Sequence, residues 1–257
     1  MEQQPDCSFF VRTFIAKKPN SHFLMIRLNK VSLRLGKEGG TSSVQFDLPS
    51  FEVVAGEAVA LTGPSGCGKS TLLNLISGLR RTDIGEVTVA GVDLANLSPA
   101  QLDKHRGAHC GMVFQTFHLL APFTAIENVA IGLRFGSRKR SNVFKQATEV
   151  LHRVGLGDRL HSRPDQLSVG ERQRVAIARA IAGGASILLA DEPTGSLDPD
   201  TGKEIFELLC KVAEEDGRTL LMVTHDLSLA SKLPRSFDCS GLVQSGNKAT
   251  APGGPPK

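Results

Sequence analysis

No stretch of the chain approaches 18 consecutive apolar residues, so no part of it crosses a bilayer as a helix, and transport would need separate spanning subunits. Cysteine is scarce and scattered. Cys7, Cys67, Cys110, Cys210 and Cys239 form no C-x-x-C pair, which argues against a zinc site or a disulfide framework and for a reducing cytosol. The opening MEQQPDCSFFVRTFIAKKPNSHF lacks a long apolar core after a basic start and does not read as a secretory signal. A large excess of one charge is also missing: 30 Lys and Arg face 26 Asp and Glu, interspersed, for a net +4. The densest basic run, residues 138–140 in GSRKR, reads as a solvated loop before it reads as a contact for anionic lipid heads. There is no internal repeat. What remains is 257 residues with 40% hydrophobic content, enough for one large α/β domain or two intimately packed lobes.

Against that background one segment stands out, GPSGCGKST at residues 63–71, which fits G-x-x-x-x-G-K-[ST] and follows the strand-like run EAVALT. Gly63, Gly66 and Gly68 let the backbone curl around Pro64, Ser65 and Cys67 with its N–H groups turned inward. The helix starting near Lys69 adds its positive end, which makes the loop a phosphate cradle. Lys69 is placed to reach β- and γ-phosphates and the Ser70 hydroxyl to coordinate Mg²⁺, with Thr71 next in the helix. Cys67 lies inside the cradle near Lys69. Two readings stay open for it, a thiol of lowered pKa or an inert buried one.

The cradle alone does not choose among phosphate-loop enzymes. ILLADE at 187–192 is a continuous apolar run of the kind a parallel sheet buries, ending in two carboxylates. After such a strand Asp191 emerges beside the metal, and Glu192 polarises the attacking water as general base, a role worth about 10²–10⁴-fold in rate. Downstream of the cradle, LSVGERQRVAIARA at 167–180 sets Ser168, Val169 and Gly170 before a helix whose apolar positions Val175, Ala178 and Ile181 recur at helical spacing. That leaves N–H groups and a hydroxyl facing outward, a second anion site whose serine is also a helix cap.

Together with GMVFQTFHLL at 111–120, SLD at 196–198 and VTHD at 223–226, these segments resemble the ATPase subunit of ATP-binding cassette (ABC) transporters over about residues 25–246. The family order of phosphate loop, glutamine loop, LSGGQ, hhhhDE, D-loop and switch histidine is met in full, and the LSGGQ-like element is the most specific of the six. The resemblance implies ATP as substrate and Mg²⁺ as cofactor, with Ser70, Gln115 and Asp191 at the metal and Glu192 and His225 as the catalytic pair. It further implies that Ser168, Val169, Gly170, Glu171 and Asp198 act on ATP held by a second cassette chain, so that hydrolysis requires a dimer joining Lys69 of one chain to Ser168 of the other. The partners implied are that second cassette and integral membrane permease subunits, not nucleic acid. The implied location is peripheral, on the cytoplasmic face of the inner membrane. VFQTFHLLAPFTAIENV and LLADEPTGSLDPDTG look most like the subgroup serving lipoprotein release, macrolide-type export and the cell-division membrane complex. The alternatives are the ATPase of a small-molecule importer, or a regulatory cassette that recruits membrane partners with little hydrolysis. A repair or translation cassette is disfavoured because neither a long coiled-coil insertion nor a second cassette is present.

Two departures from the family pattern carry expectations. The residue that would stack on adenine falls at Leu35 in VSLRL, and the chain has no Tyr or Trp, which removes a contact worth about 1–3 kcal/mol unless Leu35 or a Phe covers the base. Val169 replaces a glycine, so any requirement for positive φ there would bring strain. The fold expected is α/β: a phosphate-loop NTPase cassette with a mixed, largely parallel core sheet, an antiparallel β subdomain and a helical subdomain at about 116–170. SNVFKQATEVLHRVGL supplies one helix of the latter, with Val143, Ala147, Val150, Leu151 and Val154 on its apolar face, and FHLLAPFTAIENV is read as part of the surface that meets the membrane subunit. Residues 1–24 read as an extension or a misassigned start and 247–257, rich in Pro and Gly, as a flexible tail.

Overall fold

The computed structural model describes residues 23–35, 44–136 and 141–245. Most of the extension, the GSRKR run after Gly136, Cys7 and the tail lie outside the described residues. In chain order the strands are β1 (Leu24–Leu35), β2 (Val44–Val54), β3 (Ala58–Thr62), β4 (Ile84–Val89), β5 (Val92–Asp93), β6 (Cys110–Phe114), β7 (Ile187–Asp191), β8 (Thr219–Val223), β9 (Arg235–Asp238) and β10 (Val243–Ser245). The helices are α1 (Lys69–Ile76), α2 (Pro99–His109), α3 (Ala125–Phe135), α4 (Val143–Arg153), α5 (Val169–Ala182), α6 (Pro199–Glu215) and α7 (Leu227–Ala230). β1 begins at Leu24, paired with Val54, one residue inside the segment read as an extension.

The strands sort into two sheets of opposite type. β10-β2-β1-β4-β5 is antiparallel throughout its pairs, and β6-β7-β8-β3-β9 is parallel throughout. The parallel sheet is buried on both faces, and its period of two divides the core. Ala58, Ala60, Val113, Leu188, Ala190, Leu220 and Met222 face the helices α3 to α6. Val59, Leu61, Ile187, Leu189, Leu221 and Val223 face α1 and the antiparallel sheet. This is why ILLAD and TLLMV are apolar without alternation.

The helical region is not a separate core. Its apolar stripe on α4 (Ala147, Val150, Leu151, with Val154 at the cap and Val143 packed at the margin) belongs to the same cluster as the inner face of the sheet. α3 starts at a capping box in which the Thr124 and Glu127 side chains exchange bonds with each other's backbone N–H. α5 runs through the expected boundary at residue 170 and packs onto β6 as well as onto α3 and α4, so it joins the helical region to the sheet.

The contact between α5 and β6 is made backbone to backbone. A Cβ placed on Gly111 would collide with the Ala180 carbonyl and sit 3.0 Å from the Leu188 side chain. Gly111→Ala is therefore expected to lower stability by about 1–3 kcal/mol, the cost of overpacking. Urea denaturation followed by circular dichroism reads this, and a midpoint equal to wild type would mean that the helix is free to step away.

Candidate nucleotide-binding and hydrolytic site

Register gathers the site. Phe114 pairs with Asp191, Asp191 with Val223, and Val223 with Leu61, so β6, β7, β8 and β3 end at one level. The residues just beyond those ends are Gln115, Glu192, Thr224 with His225, and the loop from Gly63.

That loop has φ of 129° at Gly63, 79° at Gly66 and 107° at Gly68, conformations that L side chains rarely adopt. Gly68 is the N-cap of α1 and no side chain caps the helix, so its first amides are left for a ligand. Lys69 is 6% exposed, and its Nζ donates to the carbonyls of Gly63 at 2.8 Å and Pro64 at 2.9 Å. The Cys67 sulfur lies 3.8 Å from the same ammonium and is buried, and a Cβ on Gly63 would stand 2.8 Å from it. Pro64, Ser65 and Gly66 form the exposed rim.

The two carboxylates differ in setting. Burial pushes the Asp191 carboxyl above its ordinary value and the Glu192 charge adds to this, while the hydrogen bond from Ser70 and the Lys69 charge pull it back. Glu192 adopts φ 49°, left-handed for a residue with a side chain, a conformation that costs on the order of 1–3 kcal/mol. It is pinned by its N–H donating to the Val223 carbonyl at 3.1 Å and its carbonyl accepting from Gly195 N–H at 3.1 Å. Its Oε1 lies 2.7 Å from His225 Nε2. The histidine is in turn fixed between buried Thr224 and Asp226. The Asp226 N–H donates to Thr224 Oγ1, and its carboxylate accepts from the Ser228 and Leu229 amides that start α7.

Gln115 meets the loop after Glu192, where a Cβ on Gly195 would be 2.9 Å from its Nε2. Glu192, Thr194, Asp198, Lys203, His225 and Lys232 line an open cleft of about 520 Å³ beside it.

Residues 168–171 are placed apart from the phosphate loop, at the start of α5. Ser168 Oγ accepts from Glu171 N–H at 3.2 Å and Glu171 Oε2 accepts from Ser168 N–H at 2.8 Å, a complete capping box that also holds the Glu171 carboxyl below its usual range. Val169 has no positive φ. It is the first residue of the helix, so the strain expected from replacing glycine does not arise. Asp198 caps α6 with its carboxylate alone, accepting from Thr201 N–H at 3.0 Å. Leu35 closes β1 opposite Val44 and packs part of its surface on the core, which leaves it less than a free platform for a base.

Two buried amides escaped sequence reasoning. Gln173, fully buried, donates from Nε2 to the carbonyls of Pro193 at 2.7 Å and Phe114 at 3.3 Å, tying α5 to both rims of the site. Its only sequence signal is a polar residue two positions before Val175 on a helix face otherwise apolar. Asn128, inside the stretch read as a contact surface, is fully buried and holds the loop before α3 through the backbones of Leu120, Phe123 and Thr124, while Leu120 and Phe123 stay exposed.

Because burial raises the Asp191 pKa in the folded state, the folded protein binds this proton more tightly than the unfolded one, and stability falls as pH rises from the unfolded carboxylate value through the raised one. Asp191→Asn is expected to raise the urea midpoint of the nucleotide-free protein at pH 7 to 8, with the gain shrinking below about pH 4, where the wild-type carboxyl is protonated in both states. A lower midpoint at pH 7.5 would show that attraction to Lys69 outweighs the burial cost.

The family model for ABC transporters matches residues 46–195. Among solved structures, the chain is similar to the dimeric, post-hydrolysis ATP-binding cassette MJ0796 bound to ADP and Pi. The identity is 38% over 83% of this chain and 94% of that one, with a TM-score of 0.75. A second dimeric structure of MJ0796, described as a bacterial ABC transporter cassette, gives 37% identity, 86% and 98% coverage and a TM-score of 0.74. cbiO1 of Clostridium perfringens, part of the ABC transporter complex cbiONQ, gives 25% identity, 84% and 85% coverage and a TM-score of 0.73. With its phosphate loop and paired carboxylates at the level ends of a parallel sheet, the chain belongs to the ABC transporter family as one of its ATP-binding cassettes.

Proposed function

We propose that the chain is the ATP-hydrolysing subunit of an ABC transporter, driving a separate membrane permease of the export, lipoprotein-release or mechanical type. The observation that carries hydrolysis is the contact of 2.7 Å between His225 Nε2 and Glu192 Oε1, next to the half-buried Asp191 carboxyl. Export rather than import rests on the likeness of VFQTFHLLAPFTAIENV and LLADEPTGSLDPDTG to the export and cell-division subgroup. The cassette unit is read as residues 25–246. No helix among the described residues is long and apolar enough to cross a membrane, which fits a peripheral place on the cytoplasmic face.

In this reading Lys69 leaves the Gly63 and Pro64 carbonyls to bind the β- and γ-phosphates, and the uncapped amides of α1 cradle them. The hydroxyl of Ser70, the amide oxygen of Gln115 and the carboxylate of Asp191 form a set of hard oxygen donors suited to Mg²⁺, and a carboxyl penalised for its charge by burial is one that a cation relieves. Mg²⁺ held by these residues would supply positive charge against the phosphates. Glu192 accepts the proton of the attacking water while His225 holds the carboxylate in line. Ser168, Val169, Gly170, Glu171 and Asp198 complete the site of a second copy, a reading that the dimeric state of the similar cassette MJ0796 supports.

Glu192→Gln keeps the shape and removes the base. It should bind ATP and Mg²⁺, lose about 10²-fold or more in turnover, and accumulate as a closed dimer on size exclusion with ATP. Adding Ser168→Arg should return it to monomer. A heterodimer with Lys69→Ala on one chain and Ser168→Arg on the other keeps one intact composite site, whereas both changes on one chain damage each site once. Tight ATP binding by a strictly monomeric Glu192→Gln chain, with its membrane partner present, would sink the two-chain mechanism. Leu35→Tyr should tighten ATP over GTP by up to about 1–3 kcal/mol, read by nucleotide titration, and equal affinities would mean that another residue already covers the base.

A further inference from the structure

The segment after β6 is held in a conformation its own residues disfavour. Phe117 and His118 follow one another with φ of 50° and 47°, left-handed at two successive positions with large side chains. Such backbone persists only where the surroundings over-determine it.

Here the surroundings are one helix. Arg179 of α5 donates from Nη2 to the Phe117 carbonyl at 2.7 Å and from Nη1 to the His118 carbonyl at 2.5 Å, so a single guanidinium fork spans both peptide oxygens of the strained pair. Two helical turns earlier, on the same face, the Arg172 guanidinium lies 5.6 Å from the centre of the Phe117 ring. Gln173, beside it, bonds the Phe114 carbonyl. The loop also closes on itself: Thr116 Oγ1 lies 3.0 Å from His118 Nε2, and the His118 ring meets the Phe114 ring with centroids 4.7 Å apart. Gln115 therefore sits between two points, Phe114 and Phe117, that are both fastened to α5. Its amide is turned to the Gly195 side of the site.

We propose that Arg179 is a positioning residue for hydrolysis: its fork holds residues 117–118 left-handed and thereby sets the Gln115 amide at the metal and water position. The inference rests on the role given to Gln115 in the functional reading above. α5 begins at Ser168, so the helix that would meet the partner's nucleotide is also the clamp on this chain's own Gln115. A continuous helix of 14 residues carries a displacement at one end to Arg172 and Arg179 without a hinge.

The tests are steady-state ATPase kinetics of the full chain against both ATP and Mg²⁺, and calorimetric titration of Mg²⁺ into the ATP-bound Glu192→Gln chain with and without Arg179→Ala, where weaker Mg²⁺ binding is expected and equal affinity overturns the proposal. Arg179→Ala is expected to lose about 10- to 100-fold in kcat, the usual effect of removing a group that orients a metal ligand, with KM for ATP nearly unchanged and the half-saturating Mg²⁺ concentration raised. Arg179→Lys, a single point donor without the fork, should fall between. Phe117→Gly with His118→Gly in the Arg179→Ala background should recover much of the loss, because glycine takes positive φ without penalty. A merely structural arginine would show no such recovery, since two more glycines only loosen the fold. An Arg179→Ala chain with wild-type kcat and Mg²⁺ dependence overturns the proposal, and so does a loss that the glycine pair deepens. If Arg179→Ala does not fold, Arg179→Lys carries the test, and a wild-type Mg²⁺ dependence there overturns it equally. A wild-type chain with no Mg²⁺-dependent hydrolysis that Glu192→Gln removes overturns the functional reading itself, whereas a hydrolysing wild type indifferent to residue 179 overturns this inference alone.

Discussion

Four parallel strands that end at one level are the constraint on which the site depends. Leu61, Phe114, Asp191 and Val223 lie in register across β3, β6, β7 and β8, so the four segments that follow open on the same edge of the sheet. Ligand chemistry in open parallel sheets is expected at that edge, beyond the carboxyl ends of the strands. A one-residue slip of β7 would turn Leu188 and Ala190 to the wrong face and carry Asp191 and Glu192 out of line with Lys69 and His225. The core therefore fixes the chemistry. The alternation that sends Leu188 towards the helices and Leu189 towards α1 is the same alternation that decides which carboxylate emerges where.

The site is built from groups that the fold tolerates rather than favours. Lys69 is buried on loop carbonyls, Asp191 is raised by burial, and Glu192 stands left-handed under the grip of Val223 and Gly195. Each is an arrangement that isolated chain physics would relax. Each also suits an anionic ligand bound with a cation. A phosphate offers Lys69 a better acceptor than two neutral carbonyls, and a metal ion favours the ionised form that burial resists. Nucleotide with metal would thus be expected to remove these penalties.

Much of this was legible in the chain, for local reasons. EAVALT followed by GPSGCGKST announces a strand, a glycine loop and a helix at Lys69, and α1 begins at that residue. ILLAD is too apolar to alternate and forms a two-sided buried strand, and the face of α4 from Ala147 to Leu151 is buried as its spacing requires. What escaped was long-range. A parallel core and an antiparallel subdomain were expected and are found, but nothing local tells the strand order within each sheet, because pairing such as Ala58 with Leu220 is decided by partners far away in sequence. Gln173 and Arg179 look like ordinary polar residues of a helix until β6 and its following loop are packed against them. A valine in place of the motif glycine at position 169 would be strained only if that position required a positive φ. The helix simply starts there, and at its first position a valine needs no unusual φ.

The capping box at Ser168 bears on whether that helix start has anything left to offer a phosphate. Ser168 Oγ accepts from the Glu171 amide, which uses a lone pair of the hydroxyl and leaves its proton to donate outward. The side-chain box satisfies the third amide of the helix, while the first two, of Val169 and Gly170, have no intrahelical acceptor. Capping and anion binding are therefore compatible on one serine. Gly170 is held to glycine from a different direction: a Cβ there would stand 2.7 Å from Thr201 Cγ2, in the first turn of α6 whose N-cap is Asp198. The start of α5 and the start of α6 are thus packed against each other, and the two elements proposed to reach a second cassette, residues 168–171 and Asp198, form one braced surface rather than two independent loops. A side chain at position 170 would pry them apart without touching either cap, which makes the small residue at 170, more than the glycine lost at 169, the one this surface depends on.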